Sequence, residues 1–172
     1  FIYIRMGIMG KSISLDIAAL VILTILLISC IFRKMTSGIS NRIFLIIILI
    51  TITATVFDIT AVTLDNTQST QTSVLYTAHA GYLITHYLTA PLHLLFVISL
   101  TDTWHKLKKN FAFQVVLVLP LAAVLIAFVA NAGNHLVFSV ENGYTRGPLF
   151  SLMYITTIMY VVFDIAYIIR YR

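Results

Sequence analysis

Apolar residues fill five long stretches, 13–32, 43–64, 74–100, 111–131 and 148–169, and polar residues gather in the short segments between them. At ~1.5 Å of rise per residue, each stretch is long enough to cross a ~30 Å hydrocarbon core as a helix. None alternates apolar and polar positions as the strands of a lipid-embedded barrel must, so the backbone groups have to be satisfied within helices. The pattern predicts an all-α, polytopic transmembrane helix bundle of about five spans, with an outer segment over 1–12 and one membrane-integral domain over 13–172. Pro91 and Pro120 lie inside the third and fourth stretches and predict kinks, whereas Pro148 suits the first turn of the fifth helix.

The segment 132–147 is the one sizeable stretch between spans. Within it Leu136-Val137-Phe138-Ser139-Val140, followed by Glu141-Asn142-Gly143, reads as a strand and turn, which predicts a short outer β-hairpin acting as a lid. A contact between Glu141 and Arg146 is expected to steady that turn. The segments 33–42, 65–73 and 101–110 are expected to be polar loops.

Composition fits this picture: 60% of the 172 residues are hydrophobic and 10% charged, with a mean hydropathy of +0.99. Such a chain is solvated mostly by lipid. Its net charge of +5 comes from basic residues clustered at the ends of apolar runs. That placement points to lipid headgroups as the partner and away from nucleic acid. Arg33, Lys34, Arg42, Lys106, Lys108, Lys109, Arg170 and Arg172 fall on one side, and Arg5, Lys11 and Arg146 on the other. The richer side is expected to be cytoplasmic, in a bacterial cytoplasmic membrane with the N-terminus outside. Trp104 reads as a belt residue beside the lysines. Leu27-Ile28-Ser29-Cys30 resembles a lipoprotein cleavage box, but cleavage there would leave Arg33, Lys34 and Arg42 outside, so Cys30 reads as a small apolar filler. A chain that opens at Phe1 and closes on a basic pair after a span is expected to be a piece of a longer protein.

His79, His86 and His93 recur every seven residues. At 100° per residue, successive members stand only about 20° apart and form one stripe. Steps of ~10.5 Å along the axis keep any two from sharing a metal ion. Ionisable groups within a membrane face the bundle interior or a wet cavity, so the stripe predicts the buried side of the third helix. Similar depths predict an Asp58–His79 hydrogen bond and an Asp164–His93 pair. With Thr51, Thr53, Thr55 and Thr60 these groups read either as interhelical polar glue or as a ligand or pH-sensing pocket. Tyr82 and the neighbouring tyrosines serve as interface anchors or pocket walls. No phosphate loop, metalloprotease motif, cysteine pair or nucleophile elbow is present. Catalysis, a cofactor and a metal are therefore not expected.

Three stretches carry a resemblance: Ser40-Asn41-Arg42-Ile43-Phe44-Leu45 leading to Val56-Phe57-Asp58-Ile59; Pro91 through Leu100-Thr101; and Glu141-Asn142-Gly143-Tyr144-Thr145-Arg146-Gly147-Pro148. They resemble the seven-helix membrane input regions in front of diguanylate cyclase (GGDEF) and histidine kinase domains of Firmicutes, related to the histidine kinase N-terminal seven-transmembrane region. The resemblance implies a sensory module with five of seven helices present, followed by two more helices and a cytoplasmic output domain in cis. A small-molecule ligand and a homodimer are compatible with it. The alternative is a small secondary transporter, or a fragment of one, using the intramembrane Asp and His residues.

Overall fold

The computed structural model describes residues 2–33, 37–67, 72–101, 109–141 and 144–171, of which 2–12 by backbone only. Lys34, Trp104, Lys106, Lys108, Asn142, Gly143 and Arg172 lie outside the described residues, as do the side chains of Arg5 and Lys11. Five long helices account for nearly all of it: α1 (Ile2–Phe32), α2 (Ile39–Asn66), α3 (Thr72–Ser99), α4 (Phe111–Asn134) and α5 (Phe150–Tyr171). Two short strands, β1 (Phe138–Ser139) and β2 (Thr145–Arg146), stand between α4 and α5. Each helix contains a segment long and apolar enough to span a membrane. Large apolar side chains cover the outer surface, with Val129 80% and Ile169 74% exposed. That surface is stable against acyl chains and not against water, and the chain is a multi-pass membrane protein.

The helices run longer than the apolar stretches alone. Ser40, Asn41 and Arg42, expected in a loop, form the first turn of α2, where Asn41 Nδ2 donates to the Ser37 carbonyl at 2.8 Å. Asp65, also expected in a loop, belongs to the last turn of α2. In α1 the helix continues back from Ile13 to Ile2, through the segment read as a separate outer piece. Pro148 lies ahead of α5, which begins at Phe150. The N–H of Leu149 is instead drawn to the Leu136 carbonyl at 2.8 Å, and Gly147 N–H to the Val137 carbonyl at 2.8 Å. These bonds extend the hairpin to the threshold of α5.

Central to the bundle is α3, which packs against α2, α4 and α5, while α1 packs on α2. Its approach to α2 depends on Gly81: a Cβ there would come within 2.7 Å of the Phe57 ring. Small residues at such crossings let membrane helices meet closely. Further along the same pair, the Ser40 hydroxyl donates to the Ser99 carbonyl at 2.8 Å, and the Phe44 and Phe96 rings lie 5.7 Å apart. Leu75, His79, Leu83, Tyr87, Pro91, Leu94 and Ile98 form the buried side of α3.

The hairpin is antiparallel, with Phe138 opposite Arg146 and Ser139 opposite Thr145. It is a plug as well as a lid. Phe138 is fully buried, and its ring stacks on Tyr76 at 4.9 Å and Tyr144 at 6.1 Å. Asn131, in the last turn of α4 and also fully buried, holds the strand from behind. Its Oδ1 accepts from the N–H of Val137 at 2.6 Å and of Phe138 at 3.0 Å. Its Nδ2 donates to the Phe138 carbonyl and to the Tyr76 hydroxyl, each at 3.1 Å.

Candidate functional site

Beneath the hairpin, α2, α3 and α5 enclose a cavity of about 390 Å³. Asp58 lines it from α2; His79, Tyr82, Leu83, His86 and Tyr87 from α3; Phe150, Met153, Tyr154 and Thr157 from α5; and Tyr144 and Arg146 from the hairpin. Four of the residues singled out from the sequence, Asp58, His79, Tyr82 and His86, thus meet in one place. Arg146 joins them.

The expected pairings differ from those observed. His79 Nε2 lies 3.1 Å from Asp65 Oδ2, and Asp58 is not its hydrogen-bond partner. Side chains on a helix lean toward its N-terminus. In this antiparallel pair His79 leans toward the hairpin end and Asp65 leans down to meet it, while Asp58 leans away. Asp58 makes no hydrogen bond among the described residues, and the charged or titratable groups acting on it are Asp16, His79 and His86. Glu141 faces His135, with Oε1 3.4 Å from Nε2, and not Arg146. The Arg146 guanidinium lies over the Phe150 ring, 4.8 Å from its centre, close enough to Tyr144 to act on its phenol. Burial pushes the Tyr144 phenol above its ordinary value, with Arg146 opposing the shift.

The histidine stripe is only partly interior. His79 is buried, and its ring stacks on Tyr144 at 4.4 Å. His86 and His93 are exposed on the flank of α3. The buried residues of α3 advance mostly in fours, whereas a step of seven drifts back by about 20°, so each histidine lies further from the buried side than the last. His86 still reaches the cavity, where its ring stacks on Tyr82 at 5.6 Å. His93 and Asp164 come near each other toward the opposite end of the bundle without a hydrogen bond, and Asp164 Oδ1 is buried without a partner.

Asp16, in α1, is not among the candidate residues read from the sequence. It acts on both Asp58 and Tyr82, and its Oδ2 is buried without a partner. The available signal was its rank as the one acidic residue in α1. Tyr144 and Tyr154 are among the tyrosines read as anchors or pocket walls and line the cavity, whereas Phe150 was not legible there, because nothing local to it specifies how the hairpin folds back.

From the cavity, hydroxyl groups lead to α4. Tyr87 donates to the Pro120 carbonyl at 3.2 Å, and Tyr160, fully buried, donates to the Leu117 carbonyl at 2.7 Å. The Tyr87, Tyr160 and Thr156 side chains face one another. Pro120 has no N–H to give to the preceding turn, so α4 is short of one backbone bond where these hydroxyls arrive. Among the described residues no group of three or more His, Cys, Asp or Glu is placed to hold a metal ion. Comparison with known proteins finds no match to this chain, whether among family models, curated proteins or solved structures.

Proposed function

We propose that this chain is the sensory input module of a bacterial signal-transduction protein of the cytoplasmic membrane, with the hairpin end outside. A small molecule entering the cavity biases the helix arrangement and so acts on a cytoplasmic output domain in cis, a GGDEF or kinase domain by the resemblance described above. The observation that carries this reading is the direct link from the cavity to the α4 backbone at Pro120. Tyr87 lines the cavity and bonds the α4 backbone at Pro120. An occupant that displaces Tyr87 therefore favours one α4 geometry over another, which is the differential contact that a switch requires.

Filling the cavity tests it. With Cys30 replaced by Ala and spin labels at Lys109→Cys and Ile168→Cys, Thr157→Trp is expected to shift the label distance in the reconstituted chain by ~1–2 Å. Tyr87→Phe is expected to abolish that shift. An unchanged distance in Thr157→Trp counts against the reading.

A transporter reading draws on one observation, the unpartnered carboxylate oxygens of Asp16 and Asp164 near opposite ends of the bundle. It requires pH-gradient-driven uptake or proton flux in proteoliposomes that Asp164→Asn removes.

A further inference from the structure

We infer that the cavity beneath the hairpin selects a small organic cation, an aromatic or alkyl amine whose ammonium group bonds Asp58 while its apolar body lies among Tyr82, Tyr154 and Met153. The inference rests on the sensory reading of the same cavity and names the ligand class that the walls fit.

Charge supplies the first reason. Asp58 faces the cavity with no hydrogen bond or ion pair among the described residues, and the groups acting on it are the Asp16 carboxyl from α1 and His79 and His86 from α3. No lysine or arginine is among them. His79 is already engaged by Asp65 at 3.1 Å. Arg146, the one guanidinium in the cavity wall, is held over Phe150, where it also acts on the Tyr144 phenol. A carboxyl group in this apolar setting gains most from a ligand that brings its own positive charge and N–H donors.

The second reason is the wall itself. Aromatic rings present negative faces to a cation and large apolar area to the carbon skeleton behind it. Here they come from separate elements, Tyr82 from α3 and Tyr154 from α5. A volume of about 390 Å³ accommodates a single-ring amine. An anion would meet the Asp58 carboxyl, on which the Asp16 carboxyl also acts, and a neutral ligand would leave Asp58 uncompensated.

The probes are 2-phenylethylamine, 2-phenylethanol and 3-phenylpropionate, measured by equilibrium binding to the full chain in phosphatidylcholine nanodiscs, with empty nanodiscs subtracted. The amine is expected to bind about tenfold or more tighter than the alcohol, with the acid weakest. Asp58→Asn is expected to erase the preference, whereas Asp58→Glu and Asp164→Asn keep it. Equal binding of amine and alcohol, tighter binding of the acid, no binding of any probe, or a preference that survives Asp58→Asn would each overturn the inference. The Lys109–Ile168 label distance separates this from the sensory reading. Acid that binds and shifts the distance removes the ligand class alone, while amine that binds without a shift removes the sensory role alone.

Discussion

His79 and Asp65 join α3 to α2 through a 3.1 Å contact between Nε2 and Oδ2 at the hairpin end of the bundle. The contact leaves Asp58, one heptad deeper on α2, facing the cavity. A double-mutant cycle on thermal stability in detergent, with His79→Ala and Asp65→Asn, is expected to return a coupling of about 0.5–1.5 kcal/mol. The same cycle with Asp58→Asn in place of Asp65→Asn is expected to give a smaller coupling, because His79 acts on Asp58 without a hydrogen bond.

Asn131→Ala removes four hydrogen bonds from a fully buried position. Two strand N–H groups lose their acceptor, and the expected destabilisation is about 2–5 kcal/mol. Hydrogen exchange at Val137 and Phe138 checks it directly. Their protection should fall while that of mid-α3 amides is retained.

Gly81→Ala forces a Cβ against the Phe57 ring. Overpacking of this kind costs about 1–3 kcal/mol. Phe57→Leu in the same chain is expected to recover most of the loss, because the obstacle is the ring and not backbone. Thermal unfolding of the two single variants and the double variant tests the compensation.

Tyr160→Phe deletes the hydroxyl that donates to the Leu117 carbonyl, one turn before Pro120. A destabilisation of about 1–3 kcal/mol is expected. The stronger check is spectroscopic: spin-label distances across α4 should broaden, since the turn before Pro120 loses a restraint that α5 provides.

The Tyr144 phenol, raised by burial, has a higher value folded than unfolded. Between about 10 and its folded value, the unfolded state binds fewer protons than the folded state, so stability falls as pH rises. The stabilisation is complete below that window. Wild-type protein is therefore expected to lose stability relative to Tyr144→Phe only above about pH 10, as followed by thermal unfolding across pH.

Much of the architecture was legible in the sequence because span length and hydropathy depend on few details. The runs ending near Phe32 and Ser99 needed only counting. Depth along antiparallel helices brought Asp58 and His79 to one level, and both line the cavity. What depth does not encode is lean, and that assigned His79 to Asp65. Nor does a heptad spacing reveal which rows a neighbour covers, so His93 was expected inside and lies on the flank. The role of Arg146 depended on how 132–147 folds back over the bundle, through Asn131 and the turn at Gly147, where a side chain would overlap the Leu136 carbonyl. Such long-range closure has no local signature.

Asn131 has a mechanical consequence. Because it clamps β1 to the end of the helix that holds Pro120, the plug cannot lift as a free flap hinged at its strands. Raising it must either break four bonds at once or carry the tip of α4 along, so that opening the cavity mouth and flexing the helix become one coordinate of motion.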